Sequence, residues 1–129
     1  MALNVKTGAR FVAPLGLAAL LLAGPAHADA ARGADVFDEN CAECHSMAQP
    51  LKNKKGPGLY GVVGRAAATV PDFKYSEALI AAKLVWTPEQ LDAYLRNPKA
   101  AVSGGKMKFD GLDDATARQD LIDFLRSPG

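Results

Sequence analysis

Residues 41–45 read Cys-Ala-Glu-Cys-His, and Cys41 and Cys44 are the only two cysteines of the chain. Thiols three positions apart lie on the same side of one helical turn. From there each can add across one of the two vinyl groups on one edge of a porphyrin, leaving two thioether bonds. His45, which follows at once, is then carried beneath the ring with its imidazole aimed at the iron. This is the pattern of covalent haem attachment. Three other chemistries use parts of it. A thioredoxin-like redox pair needs a βαβ setting, and no strand-like run precedes Cys41. A structural zinc site needs four ligands, and past residue 28 only Cys41, Cys44 and His45 are soft ones. A plain disulfide gives His45 no reason to be there.

The iron then needs a sixth ligand or an open position. No second histidine follows residue 28. Met47 is two residues from His45, at most about 7 Å along the chain, and cannot pass round the ring. Met107 remains, in Gly104-Gly105-Lys106-Met107-Lys108-Phe109. On its own such a methionine reads more readily as a core gap-filler. Behind a haem motif with no rival ligand it reads as the second axial ligand. A thioether favours Fe(II), so a His/Met pair raises the reduction potential relative to two nitrogen ligands. It also closes the iron, which points to a one-electron carrier and away from an oxidase, peroxidase or gas sensor.

The elements that must position these residues are helices and Gly/Pro-rich loops, without sustained period-2 alternation. Asp29 can cap a first helix running to about His45, with Gly33, Phe37 and Cys41 spaced four apart on one face. Lys54-Lys55-Gly56-Pro57-Gly58-Leu59-Tyr60-Gly61 cannot be regular helix. Ser76 can cap a short helix over 77–83. Thr87-Pro88-Glu89-Gln90 is a capping box with proline at the first helical position. That helix turns Leu91, Tyr94 and Leu95 inward and stops before Asn97-Pro98. Asp113 or Asp114 opens a last helix with Ala117, Leu121, Phe124 and Leu125 on one face.

The first 28 of the 129 residues are not expected to belong to this domain. Lys6 and Arg10 precede an apolar run from Phe11 to Ala23, and Ala26-His27-Ala28 offers small residues at a signal peptidase site, with cleavage after Ala30 an alternative. The run is short for a membrane span, which takes about 20 residues. An exported, periplasmic domain over 29–129 with no stable membrane insertion is therefore expected. Two of the 15 basic residues leave with the signal and none of the 14 acidic ones, so the net charge becomes −1. Nothing in that total calls for nucleic acid.

The chain resembles class I cytochrome c, of the short mitochondrial or bacterial c2 type, over nearly all of 29–127. The resemblance is carried by the Cys41–His45 motif, Gly56-Pro57-Gly58-Leu59, Gly64-Arg65, Phe73-Lys74-Tyr75, Trp86, Tyr94-Leu95 with Asn97-Pro98-Lys99, Lys106-Met107, and Arg118 with Asp120-Leu121-Ile122 and Phe124-Leu125. It implies an all-α cytochrome c fold wrapped around one haem c, with the first and last helices crossing and Gly33 letting their backbones approach. It implies that the Pro57 carbonyl accepts a bond from the outer imidazole N–H of His45. Arg65, Tyr75 and Trp86 are then expected at the haem propionates, and Tyr94 near the Met107 sulfur. Two departures stand out. Leu79 replaces the family's asparagine of an internal water network. Ser103-Gly104-Gly105 replaces a segment with proline and threonine, so the Met107 loop is expected to open more readily.

The resemblance implies a soluble, monomeric, periplasmic electron carrier and not an enzyme. Its donor would be a quinol-oxidising complex or a dehydrogenase, and its acceptor an oxidase, a reductase or a photosynthetic reaction centre. A haem redox module of a dehydrogenase complex and a ligand-binding haem enzyme or sensor are the alternatives. Projected on the family fold, Lys52, Lys54, Lys55, Lys99, Lys106 and Lys108 ring the exposed haem edge, where they would steer an acidic partner.

Overall fold

The computed structural model describes residues 8, 9, 11 and 26–126, with side chains in the first helix described from Ala30 onward. The expected signal segment thus lies almost wholly outside the described residues. Among them, no helix is long and apolar enough to cross a membrane. Five helices follow one another: α1 (Ala26–Asn40), α2 (Glu77–Ala82), α3 (Pro88–Arg96), α4 (Pro98–Ala101) and α5 (Ala115–Arg126). No named strand is present among the described residues. Extended pairing is confined to an isolated bridge between Ala66 and Val85, flanked by Trp86 N–H to the Arg65 carbonyl at 2.9 Å.

α1 differs from expectation at both ends. It starts at Ala26, so Asp29 lies inside the helix and not at its first turn boundary. Ala26, Ala28, Ala30 and Ala31 are strong helix formers and carry the helix past the polar position. It ends at Asn40, short of His45. There the Asn40 side chain donates to the Val36 carbonyl at 2.9 Å, taking an acceptor from the last turn. Residues 41–45 continue as a tightened turn, with Cys41 N–H to the Phe37 carbonyl at 2.8 Å and His45 N–H to the Cys41 carbonyl at 2.8 Å.

The other caps are local and sit where the sequence puts them. Ser76 accepts from Leu79 N–H at 3.2 Å and Thr87 from Gln90 N–H at 3.1 Å. α2 stops at Ala82, one residue before the expected Lys83, which takes a left-handed conformation with φ 48°. Of the two aspartates before α5, Asp114 is the cap, its Oδ1 accepting from Thr116 and Ala117 at 2.8 and 3.1 Å.

α1 packs across α5 at the Gly33 backbone. A Cβ on Gly33 would lie 2.0 Å from the Asp120 carbonyl oxygen, so only glycine admits this approach. Phe37 stacks tilted on Phe124 at 5.5 Å between ring centroids. Arg32 Nε donates to Asp120 Oδ2 at 2.9 Å across the same crossing. The core beneath is Phe37, Val62, Trp86, Leu91, Leu95, Leu121, Ile122 and Leu125. Val62, Trp86, Leu91, Leu95, Leu121 and Leu125 of this core line a cavity, and most of its other lining comes from residues 40–79 and 105–109.

Candidate functional site

The cavity has a volume of about 490 Å³, within the roughly 300–1,000 Å³ of cofactor pockets. Cys41, Cys44, His45 and Met107 all line it. So do Pro57, Arg65, Tyr75, Trp86 and Tyr94, so the nine residues expected to hold or contact haem line one cavity. Met47 does not line it and packs against the hydrophobic core instead.

Two loop segments hold His45. Residues 44–46 run beside 56–59, joined by Gly56 N–H to the Cys44 carbonyl at 2.7 Å and Leu59 N–H to the Ser46 carbonyl at 2.8 Å. Between these two bonds, His45 Nδ1 lies 2.8 Å from the Pro57 carbonyl oxygen. A carbonyl can only accept, so Nδ1 carries the proton and Nε2 keeps its lone pair for the cavity. Burial, with a smaller push from the charge of Lys54, holds the imidazole below its ordinary pKa against the opposing pull of the Pro57 carbonyl. The ring is therefore neutral at neutral pH, as an iron ligand must be. Burial, and then the neighbouring Cys44, pushes the Cys41 thiol up to about 11.

Arg65 sits in the wall with both Nη groups bound to backbone, donating to the Tyr60 and Gly58 carbonyls at 3.0 Å each. Tyr75 accepts from Val70 N–H at 3.1 Å and meets Phe73 edge-on at 4.9 Å. Trp86 is buried against Tyr94, ring centroids 4.9 Å apart. Burial raises the Tyr94 phenol above its ordinary value, so it remains a protonated donor. Tyr94 and Met107 also share a pocket of about 10 Å³ with Pro98 and Val102. Leu79 turns its apolar side chain into the cavity wall where the family resemblance leads one to expect an amide.

The donor set and the space fit haem. The cavity is lined mostly by apolar side chains, holds two thiols beside an imidazole whose Nε2 is free, and carries a thioether. No group of three or more His, Cys, Asp or Glu side chains that could hold a metal ion by themselves exists among the described residues. A model of the cytochrome c family matches residues 30–128. The chain belongs to the cytochrome c family. Over 99 residues it is 48% identical to cytochrome c-type cyt cy of Rhodobacter capsulatus, covering 77% of this chain and 49% of that longer protein. It is 39% identical to cytochrome c2 of Blastochloris viridis over 117 residues, 91% of each chain. Among solved structures, cytochrome cH from Methylobacterium extorquens superposes with a TM-score of 0.70 at 38% identity, covering 75% of this chain and 96% of that one. This cytochrome c thus carries one covalently bound haem c through Cys41 and Cys44, in the all-α fold of its family.

The structure also holds features that the sequence did not announce. Arg118 is buried at 3% exposure, its Nε donating to Asp92 Oδ1 at 2.7 Å and its Nη1 to the Leu112 and Asp113 carbonyls at 2.7 and 3.0 Å. It thereby ties α3, α5 and the loop after Met107 together. α4 is a further surprise, opened by Asn97 Oδ1 accepting from Ala100 N–H at 3.1 Å with Pro98 at its first position. An Asn-Pro pair is itself a helix-start signal.

The expected lysine ring divides in two. Lys99 pairs with Asp110 at 2.6 Å and Lys55 with Glu43 at 2.5 Å, while Lys54 donates to the Ala42 carbonyl. These three stay exposed but are engaged by the chain's own acceptors. Lys106 donates to the Lys74 carbonyl and lies over the Phe73 ring at 4.9 Å, with no ion pair among the described residues. Lys52 and Lys108 make no ion pair among the described residues.

Proposed function

We propose that this cytochrome c is a periplasmic one-electron carrier in which His45 and Met107 would hold the haem iron. Haem, when bound, supplies the one-electron couple. The rest is done by the chain. Cys41 and Cys44 hold the group covalently through repeated encounters with partners. Pro57 accepts the Nδ1 proton bond and makes His45 a better donor. With Met107 as well as His45 holding the iron, no position would be left for a small molecule, which suits electron transfer with little rearrangement. Arg65, Tyr75 and Trp86 would bind the propionates, and Tyr94, which shares a small pocket with Met107, would offer its hydroxyl to that sulfur. Electrons would arrive from a quinol-oxidising complex or a dehydrogenase and leave to an oxidase, a reductase or a reaction centre.

The observation that carries this reading is the His45 ring, its Nδ1 2.8 Å from the Pro57 carbonyl oxygen, in one cavity with both cysteines and Met107. The test is the visible spectrum of the reduced protein with and without carbon monoxide. A carrier with closed iron gives the same spectrum in both. A carbon monoxide spectrum formed at once in the native protein overturns the closed-iron reading and favours a ligand-binding role.

A further inference from the structure

We propose that Gly56 is a positioning residue that fixes the plane of the His45 imidazole; this rests on His45 binding iron as read above. A Cβ on Gly56 would lie 2.4 Å from His45 Cε1, 2.7 Å from Nδ1 and 2.9 Å from Nε2. The near-equal distances to the two nitrogens, both little longer than that to Cε1, put this point above the face of the ring and not beyond its edge. The glycine backbone therefore presses on the imidazole where any side chain would stand.

The Pro57 carbonyl alone cannot set the plane. One hydrogen bond fixes where Nδ1 points but leaves the ring free to rock about the line of that bond. Gly56 blocks the rocking from one face. It cannot give way, because its backbone is held at both ends: its N–H on the Cys44 carbonyl at 2.7 Å and its carbonyl on Lys54 N–H at 2.9 Å. Gly56 is itself buried. Cys44 and His45 are consecutive, so the residue that anchors Gly56 belongs to the same turn that carries the imidazole. The glycine, the proline and the turn form one closed frame around the ring.

A methyl group at 56 has no room, since real Cβ atoms do not come within 3.0 Å of such neighbours. The ring must withdraw by more than half an ångström, tilting and stretching its bond to Pro57. A longer Nδ1–H···O bond makes the imidazole a poorer donor, which favours Fe(II).

The experiment is Gly56→Ala in the haem-loaded protein. Proton NMR of the ferric state reads the haem methyl shifts, whose spread follows the orientation of the axial imidazole plane, and redox titration reads the potential. The expected result is a redistributed methyl pattern and a higher potential, with the methionine-ligated visible spectrum retained. An unchanged pattern and potential, with only a lower unfolding midpoint, overturns the proposal and leaves Gly56 a packing residue. If the variant does not accumulate, the native protein still decides. A single fixed plane predicts one set of His45 ring-proton resonances at every temperature, and a second or exchange-broadened set of them overturns it. Absence of hyperfine-shifted imidazole protons in the native protein would overturn the ligation of His45, and the proposal with it.

Discussion

Arg118 on α5 donates through Nε to Asp92 on α3 at 2.7 Å, and the same guanidinium holds the carbonyls of Leu112 and Asp113. A buried cation with three acceptors thus anchors the far end of the stretch between Met107 and α5. Removing one partner of such a group leaves charge or carbonyls unsatisfied. Arg118→Ala should cost about 3 kcal/mol in denaturant unfolding. Asp92, more than a third exposed, should cost less when replaced by asparagine. A loss below about 1 kcal/mol for Arg118→Ala would mean that water replaces the guanidinium.

Met107→Ala should keep its covalent haem on a denaturing gel but lose its high potential and bind carbon monoxide at once. Retention of a thioether-ligated spectrum in that variant would show that another group holds the iron. Cys41→Ser with Cys44→Ser should abolish haem staining.

Gly33→Val should separate α1 from α5, because its Cβ would fall 2.0 Å from the Asp120 carbonyl. Overpacking of this kind costs about 1–3 kcal/mol. Unfolding monitored by far-UV circular dichroism gives the number, and a neutral result would mean that the helices slide without cost.

The loop before Met107 contains Gly104 at φ +88°, so the glycine there serves a left-handed turn as well as adding chain entropy. In moderate denaturant the sulfur–iron absorbance should disappear before the helix signal. Coincident loss of both signals would count against a separately opening loop.

Charge reversal at Lys106 should slow reduction of hexacyanoferrate(III) more than reversal at Lys99, and both differences should shrink as salt rises. The reason is that Lys99 is already paired with Asp110, whereas Lys106 rests on a carbonyl and an aromatic face. Exposed charges are screened over about 10 Å at 0.1 M salt. Equal sensitivity at the two positions would show that the pairing with Asp110 is lost in solution.

What was legible in the sequence was local. Ser76, Thr87 and Asp114 cap the turns that follow them because a side chain reaching three residues along needs no tertiary information. The motif at Cys41–His45 and the glycine–proline segment after it name a cofactor by their order alone. The start of α1 was missed because alanine propensity outweighs a possible cap at Asp29. The fate of Arg118 and of the lysines depends on Asp92, Asp110 and Glu43, which lie 11 to 26 residues away and come near only once the chain has folded. Pairing across such distances leaves no trace in spacing.

The Arg32–Asp120 contact spans 88 residues, which gives the α1–α5 crossing a consequence for the order of assembly. Closing so long a loop is slow compared with forming any of the helices. Until α5 arrives, the cavity that Cys41 and Cys44 line lacks the part of its wall supplied by Leu121 and Leu125. Thioether formation and final closure are therefore separable in time, and a chain ended before Ala115 should still acquire covalent haem while failing to fold compactly. Haem staining of that truncated chain, set beside its proteolytic sensitivity, tells the two events apart. Covalent haem absent from it would mean that attachment waits for the last helix.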